Sequence, residues 1–183
     1  MADARAAGAC TFRRLAEADL PRLHRWLNAP HVLEWWDRPG PTPEHVRKKY
    51  LPRTVPQDGF AAYVMQWDGS PIGYIQLYRV AQGAWNRRDI GSSAGIDLFI
   101  GEPAYLHRGL GPQILRRFLS EVVFRDAAVD ACLIDPSPRN RIALRAFEKA
   151  GFRLLGAATD PASGLPVCLL RITRQEATEV GAD

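Results

Sequence analysis

Two kinds of residue in this chain stand where they could do chemistry. The first is a stretch of main chain, Arg108-Gly109-Leu110-Gly111-Pro112, directly ahead of an amphipathic segment. A loop that opens a helix leaves main-chain N–H groups unpaired and presents the positive end of the helix dipole. Glycines let a bulky anion approach that backbone, and Pro112 suits a first helical turn. Such a junction can hold a diphosphate, with the Arg108 guanidinium at its rim, or the glycines can simply serve a tight turn. The second kind is a carboxylate in apolar company. Asp97 interrupts "GIDLFI", and Asp135 ends "ACLID" before Pro136. Asp97 can instead be an outward-facing strand residue, and Asp135 a turn-capping aspartate. Two nucleotide-binding patterns fail at the glycine turn. A Rossmann fingerprint needs a third glycine where residue 114 is Ile, and "GLGPQ" lacks the Gly-Lys-Ser/Thr of a P-loop.

The elements that must position these residues follow from periodicity. "TFRRL", residues 11–15, reads as a strand, and Leu20, Leu23, Trp26 and Leu27 mark a helix that Pro30 stops. "HVLEWWDRPGPTP" reads as a loop carrying Trp35 and Trp36, and Pro43 opens a helix that ends near Pro52. "AAYVMQW" and "PIGYIQLYRV" flank Asp-Gly, a hairpin signal, and residues 81–94 form a polar, Gly-containing loop. "GIDLFIG" is a strand. The helix after the glycine turn puts Ile114, Leu115, Phe118, Leu119, Val122 and Val123 on one face. "DACLID" is a further strand. "RNRIALRAFEKAGF" is a helix with Ile142, Leu144, Phe147 and Ala150 inward and Gly151 as its cap, and two strands across "TDPASG" finish the pattern. The expected organisation is one α+β domain over 11–174, a disordered lead-in over 1–10 and a fraying polar tail over 175–183.

Bulk properties narrow the function classes. The chain has 183 residues, 46% hydrophobic and 24% charged, enough for a core without metal or disulfide staples. A net charge of +4 suits an anionic ligand, but the 24 basic residues are interspersed with 20 acidic ones, which argues against nucleic acid. The three cysteines, Cys10, Cys132 and Cys168, are far apart and form no CxxC pair, so reduced thiols in a cytoplasmic protein with no metal site are expected. No apolar run is long enough to span a membrane, and the first ten residues lack a signal-peptide core.

Taken together, "GIDLFI", "HRGLG", the amphipathic helix, "CLIDPSP" and "RNRIALRAFEKAGF" resemble the Gcn5-related N-acetyltransferase (GNAT) superfamily over about residues 11–173. The Asn140–Phe152 ending, N-x-x-A-x-x-x-[FY]-x-x-x-G-F, is the more specific half of that likeness. The resemblance implies a GNAT fold: a central mixed, mostly antiparallel sheet with a splayed parallel strand pair, flanked by helices. It implies acetyl-CoA as cosubstrate, its diphosphate held by Arg108, Gly109, Leu110, Gly111 and Pro112. The pantetheine arm would lie along Leu98, Phe99 and Ile100, with strand N–H groups near Leu98 polarising the thioester carbonyl, and Asn140 would contact the arm. The chain departs from the family twice. The leading Arg/Gln of the turn falls at Leu106. The family's frequent Tyr, a proposed proton donor beside the cofactor, is Phe147, which has no proton to give.

Shorter pieces, "LHRWLNAPHVLEWWD", "YLP", "PIGYIQLY", "GID" and "DPSPRN…EKAGF", are similar to the aminoglycoside 6'-N-acetyltransferases. That likeness implies acetylation of an aminoglycoside amine, the 6'-amino group foremost, by direct attack on the thioester in a ternary complex. It assigns Asp97 as general base and substrate ligand and Asp135 as a second amine contact. The chemistry agrees: sugar amines are mostly protonated near neutral pH, and a positioned carboxylate that takes the proton contributes roughly 10²–10⁴ in rate. Trp35 is the expected exposed stacking partner, with Gln76 and Tyr78 as a polar wall and Asp160 as an acid at the rim. Arg87 and Arg88 in the 81–94 loop cut against a polycationic substrate. A siderophore-pathway N-acyltransferase acting on a hydroxylamine is the rival reading, followed by a non-catalytic acyl-CoA sensor. A monomer and a homodimer are both compatible with the sequence.

Overall fold

The computed structural model describes residues 9–36, 39–87, 90–160 and 162–180. Seven strands form one sheet in the order β1-β2-β3-β4-β5-β7-β6. They are β1 Cys10–Arg14, β2 Phe60–Trp67, β3 Ser70–Arg79, β4 Ser93–Ile100, β5 Ala131–Ile134, β6 Arg153–Thr159 and β7 Pro166–Thr173. Strands β4 and β5 run parallel, and the other neighbouring pairs are antiparallel. The β2–β3 hairpin turns through Asp68 and Gly69, both with positive φ (48° and 76°), as an Asp-Gly turn requires. The mixed sheet with one parallel pair is the arrangement that the GNAT resemblance implies.

The α-helices are α1 Leu20–Leu27, α2 Pro30–Leu33, α3 Pro43–Tyr50, α4 Leu110–Glu121, α5 Arg141–Lys149 and α6 Arg174–Val180. Helix α4 buries Ile114, Leu115, Phe118 and Leu119 against one sheet face, together with Ile75, Ile96 and Phe147. Helices α1 and α3 cover the other face through Leu23, Trp26, Leu27, Val46 and Tyr50, which pack with Val64 and Tyr74. Trp26 fixes α1 to the end of β4. Its Nε1–H donates to Glu102 Oε1 at 2.8 Å, and a Cβ on Gly101 would lie 2.2 Å from its ring. None of the helices among the described residues is long and apolar enough to cross a membrane.

Four expectations need correction. Pro30 does not end α1, which stops at the Asn28 cap; it opens α2 from the first helical position, where its missing N–H is no loss. Ile142 points outward, 68% exposed; Ala143 takes the inward place, beside Leu144, Phe147 and Ala150, which lie on the core as expected. Cys10 is not in a disordered lead-in but buried in β1, opposite Trp67. The tail folds into α6: Glu176 Oε2 accepts from Thr173 N–H at 2.8 Å, and Ala177 packs on the core. Residues 1–8 and 181–183, parts of the expected lead-in and tail, lie outside the described residues.

Candidate active site

The parallel pair holds together only briefly. Strand β4 meets β5 at Ser93–Ala131, Ala94–Cys132 and Gly95–Leu133, and there the pairing ends. Beyond it β4 stays with β3 as far as Ile100–Gly73, while β5 stays with β7 through Ile134–Leu170 and a Cys168 N–H to Pro136 O bond of 2.9 Å. Each strand follows its antiparallel partner, and a wedge opens between them. The ladder fixes which main-chain groups line it. Val80 N–H donates to Ser93 O and Gly101 N–H to Ile72 O, so the odd-numbered residues of β4 bond to β3. Alternation then turns the main-chain groups of Leu98 and Ile100 toward the wedge. Ile100 O there meets the His31 ring Nε2 at 3.0 Å, a partner that no pattern in the sequence marked.

The glycine turn follows β4 in the chain and opens α4. Gly109 is the N-cap of α4 in the left-handed region (φ 71°, ψ 17°), and no side chain caps the helix. A Cβ at Gly109 would meet nothing within 4 Å, so the first amides of α4 face open space with the positive end of the dipole behind them. Arg108 sits over the Tyr105 ring with Cζ 5.5 Å from its centroid. Gly111 also has a packing role. A Cβ there would lie 3.3 Å from Ala146 Cβ, so this glycine allows close packing of α4 on α5. Leu110 and Phe147 are buried in the core, Pro112 is half-buried in the first turn, and Asn140 caps α5 by accepting from Ala143 N–H at 3.1 Å.

The acidic centre lies on the other face of β4. Cross-strand partners Tyr78–Gly95, Gln76–Asp97 and Tyr74–Phe99 share that face. A Cβ on Gly95 would come within 2.3 Å of the Tyr78 ring, so the absence of a side chain there lets Tyr78 lean across β4. Half-buried Asp97 accepts from Gln76 Nε2–H at 2.6 Å and from the Tyr78 hydroxyl. Burial pushes the Asp97 carboxyl above the usual carboxylate range, while the Gln76 bond and the Arg53 charge pull it back. Burial and the neighbouring carboxylates push the Tyr78 phenol far up, so it stays a donor.

Asp135 ends β5 and accepts from Trp85 Nε1–H at 3.2 Å; burial and the Asp97 charge push it up to about 6. Trp85 was not singled out by sequence reasoning, although it lies in the 81–94 loop, where it adopts φ 51°. Asp160 lies within electrostatic reach of Asp97 and Asp135, but its carboxylate serves the β6–β7 turn. It accepts from Ala162 N–H at 3.1 Å and Ser163 N–H at 2.9 Å, and these bonds hold it below its ordinary value against the opposing effect of burial. Trp36 packs edge-on to Phe99 at 4.9 Å, whereas Trp35 is 41% exposed, as the sequence suggests for a stacking partner. Arg88 and Asp89 lie outside the described residues.

The chain thus combines a strand edge left unpaired by β5, a helix N-terminus with no side-chain cap and a half-buried carboxylate with raised proton affinity. Comparison with known proteins identifies the fold. Residues 16–159 match the family model described as "Acetyltransferase (GNAT) domain". The chain is 38% identical over 157 residues to an aminoglycoside N(6')-acetyltransferase type 1 from Klebsiella pneumoniae, covering 82% of this chain and 77% of that one. It is 29% identical to the lysine N-acyltransferase MbtK from Mycobacterium sp. (strain MCS) over 76% of this chain, but over only 57% of that protein. The crystal structure of aminoglycoside acetyltransferase AAC(6')-Ib in complex with coenzyme A and kanamycin superposes with a TM-score of 0.82, at 36% identity, covering 93% of this chain and 98% of that one. On its match to the domain model and on its fold, the chain belongs to the GNAT acetyltransferase family.

Proposed function

We propose that this chain transfers the acetyl group of acetyl-CoA to an amino group of an aminoglycoside, the 6'-amino group foremost, and so confers resistance. The observation that carries the reading is Asp97. It is a half-buried carboxylate of raised proton affinity, one residue along β4 from main-chain amides that face the wedge. The 38% identity to an aminoglycoside N(6')-acetyltransferase supports the substrate class.

Acetyl-CoA fits the residues present. The α4 N-terminus, open above Gly109, would take the diphosphate, with Arg108 at its rim. The main chain of Leu98, Phe99 and Ile100 would line the pantetheine arm, and the amide group of Asn140 not used in capping α5 would reach it. When bound, the cosubstrate supplies the acyl carbonyl that the amine attacks and the thiolate that leaves. Asp97 would hold the incoming ammonium and take its proton, directly or through water, while Gln76 and Tyr78 keep the carboxylate oriented. The Leu98 N–H would polarise the acyl carbonyl. Asp135 would bind a second ammonium, and the exposed Trp35 face would stack on a sugar ring. Phe147 cannot protonate the thiolate, so that proton would come from solvent.

A thiol-release screen tests the proposal. Acetyl-CoA with kanamycin or tobramycin should give a mono-N-acetylated product. Silence with every aminoglycoside, alongside turnover of an N-hydroxy amine, would transfer the assignment to the siderophore branch. Tight CoA binding without turnover of any amine would indicate a sensor.

A further inference from the structure

We propose that Arg53 is a positioning residue for the transfer reaction: its guanidinium locks the Gln76 side-chain amide in the orientation that donates to Asp97. The inference rests on Asp97 being the group that takes the amine's proton.

Gln76 is buried, 8% exposed, and has two ends that differ only in which atom is oxygen. One end meets Arg53 Nη1 at 2.6 Å and the Tyr74 hydroxyl at 2.8 Å, and the other meets Asp97 Oδ2 at 2.6 Å. A guanidinium donates and never accepts, and a carboxylate accepts. Only one orientation satisfies both neighbours, with the amide oxygen toward Arg53 and the amide nitrogen toward Asp97. The reverse orientation would set N–H against the guanidinium and carbonyl oxygen against the carboxylate, leaving buried polar groups unmatched.

Arg53 is itself held from outside the sheet. It comes from the single turn of 3-10 helix Leu51–Thr54, with Cζ 4.9 Å from the centroid of the Tyr50 ring and 5.1 Å from that of Phe60. The Tyr50 hydroxyl in turn accepts from Trp36 Nε1–H at 3.2 Å. The groups that bear on Asp97 come from every side. Tyr78 on β3 and Cys132 on β5 are both pushed up and remain neutral, and Asp135 and Asp160 are like charges. Arg53 is the cation set against them, one side chain removed, where it supports the base without occupying the face open to an amine.

The sign of the effect follows. A base must be ionised to take a proton, so activity falls as pH drops through its titration. Removing Arg53 frees Gln76 to turn and withdraws a positive charge, and both changes move that fall to higher pH.

The test is the pH dependence of kcat/KM for kanamycin with acetyl-CoA, read by thiol release. It compares wild type, Arg53→Met, Arg53→Lys, Gln76→Leu and the double variant Arg53→Met with Gln76→Leu, with thermal melts to confirm folding. In Arg53→Met the acid limb should move up by about one pH unit, a roughly tenfold loss on the acid side that closes at high pH. Arg53→Lys should restore part of it. Gln76→Leu should give a similar shift, and the double variant no more than the larger single one. If Arg53→Met does not fold, the Arg53→Lys and Gln76→Leu limbs carry the comparison. A folded Arg53→Met with the wild-type limb, an equal loss at every pH, or additive losses in the double variant would overturn the inference. Asp97→Asn separates the two levels. If it keeps the wild-type rate, the base assignment itself fails; if it is impaired while the Arg53 variants keep the wild-type limb, only the role of Arg53 fails.

Discussion

Replacing Asp135 by Asn should make the folded protein more stable at neutral pH, by an amount the site itself sets. Burial, with the Asp97 charge second, lifts the Asp135 carboxyl from the ordinary 3.8 to about 6, against the opposing bond from Trp85. At about 1.4 kcal/mol per pH unit, ionising this group in the folded chain costs about 3 kcal/mol more than in the unfolded one. Solvent over its exposed part reduces that to about 2 kcal/mol. Between those two values the folded chain holds the proton more tightly than the unfolded one. Stability therefore falls as pH rises through that window and stays low above it. Asparagine is neutral throughout and keeps an oxygen for the Trp85 Nε1–H, now 3.2 Å away. Urea unfolding at about pH 7.5 should show the variant about 2 kcal/mol more stable, a midpoint shift of about 1 M. The two proteins should converge below about pH 4, where both side chains are neutral. Equal stability near neutral pH, or an offset that does not change with pH, would refute the reasoning.

Asp97→Asn should lower the acetylation rate at least tenfold, and up to about 10⁴-fold, while CoA affinity measured by calorimetry stays near wild type, because the α4 turn lies elsewhere. Gly109→Ala should weaken CoA binding about tenfold, since its Cβ would project into the open space proposed for the diphosphate, and its positive φ should separately cost about 1 kcal/mol of stability; a variant that binds CoA as tightly as wild type would count against a diphosphate seat there.

The parts of the fold legible in the sequence were those written in local pattern. The Asp68-Gly69 turn, the apolar stripe of α4 and the Gly151 cap, at φ 102°, are short-range devices that residue type alone dictates. The carboxylates Asp97 and Asp135 were visible for a related reason, as charges in otherwise apolar strands. Their partners were not. Trp85 reaches Asp135 across 50 residues and Gln76 reaches Asp97 across 21, and no local period encodes such contacts. The packing role of Gly111 was also hidden, because the 3.3 Å approach to Ala146 joins two helices far apart in the chain. The tail misled because its polar composition hides Ala177 and Val180, spaced to meet the core on one side of a short helix.

Because the sheet forks after Gly95, strand β4 carries a free edge in the interior of the fold rather than at its rim. Outer edges invite other proteins to add a strand and aggregate, and they are commonly blunted by charge or bulges. This one lies between two strands of the same sheet, with β5 on its far side. A thin chain with amide groups of its own could complete the ladder there. Selection for such a guest would then reside in backbone geometry, leaving the side chains of Ile96, Leu98 and Ile100 to answer to the core alone, while Asp97 answers to the opposite face.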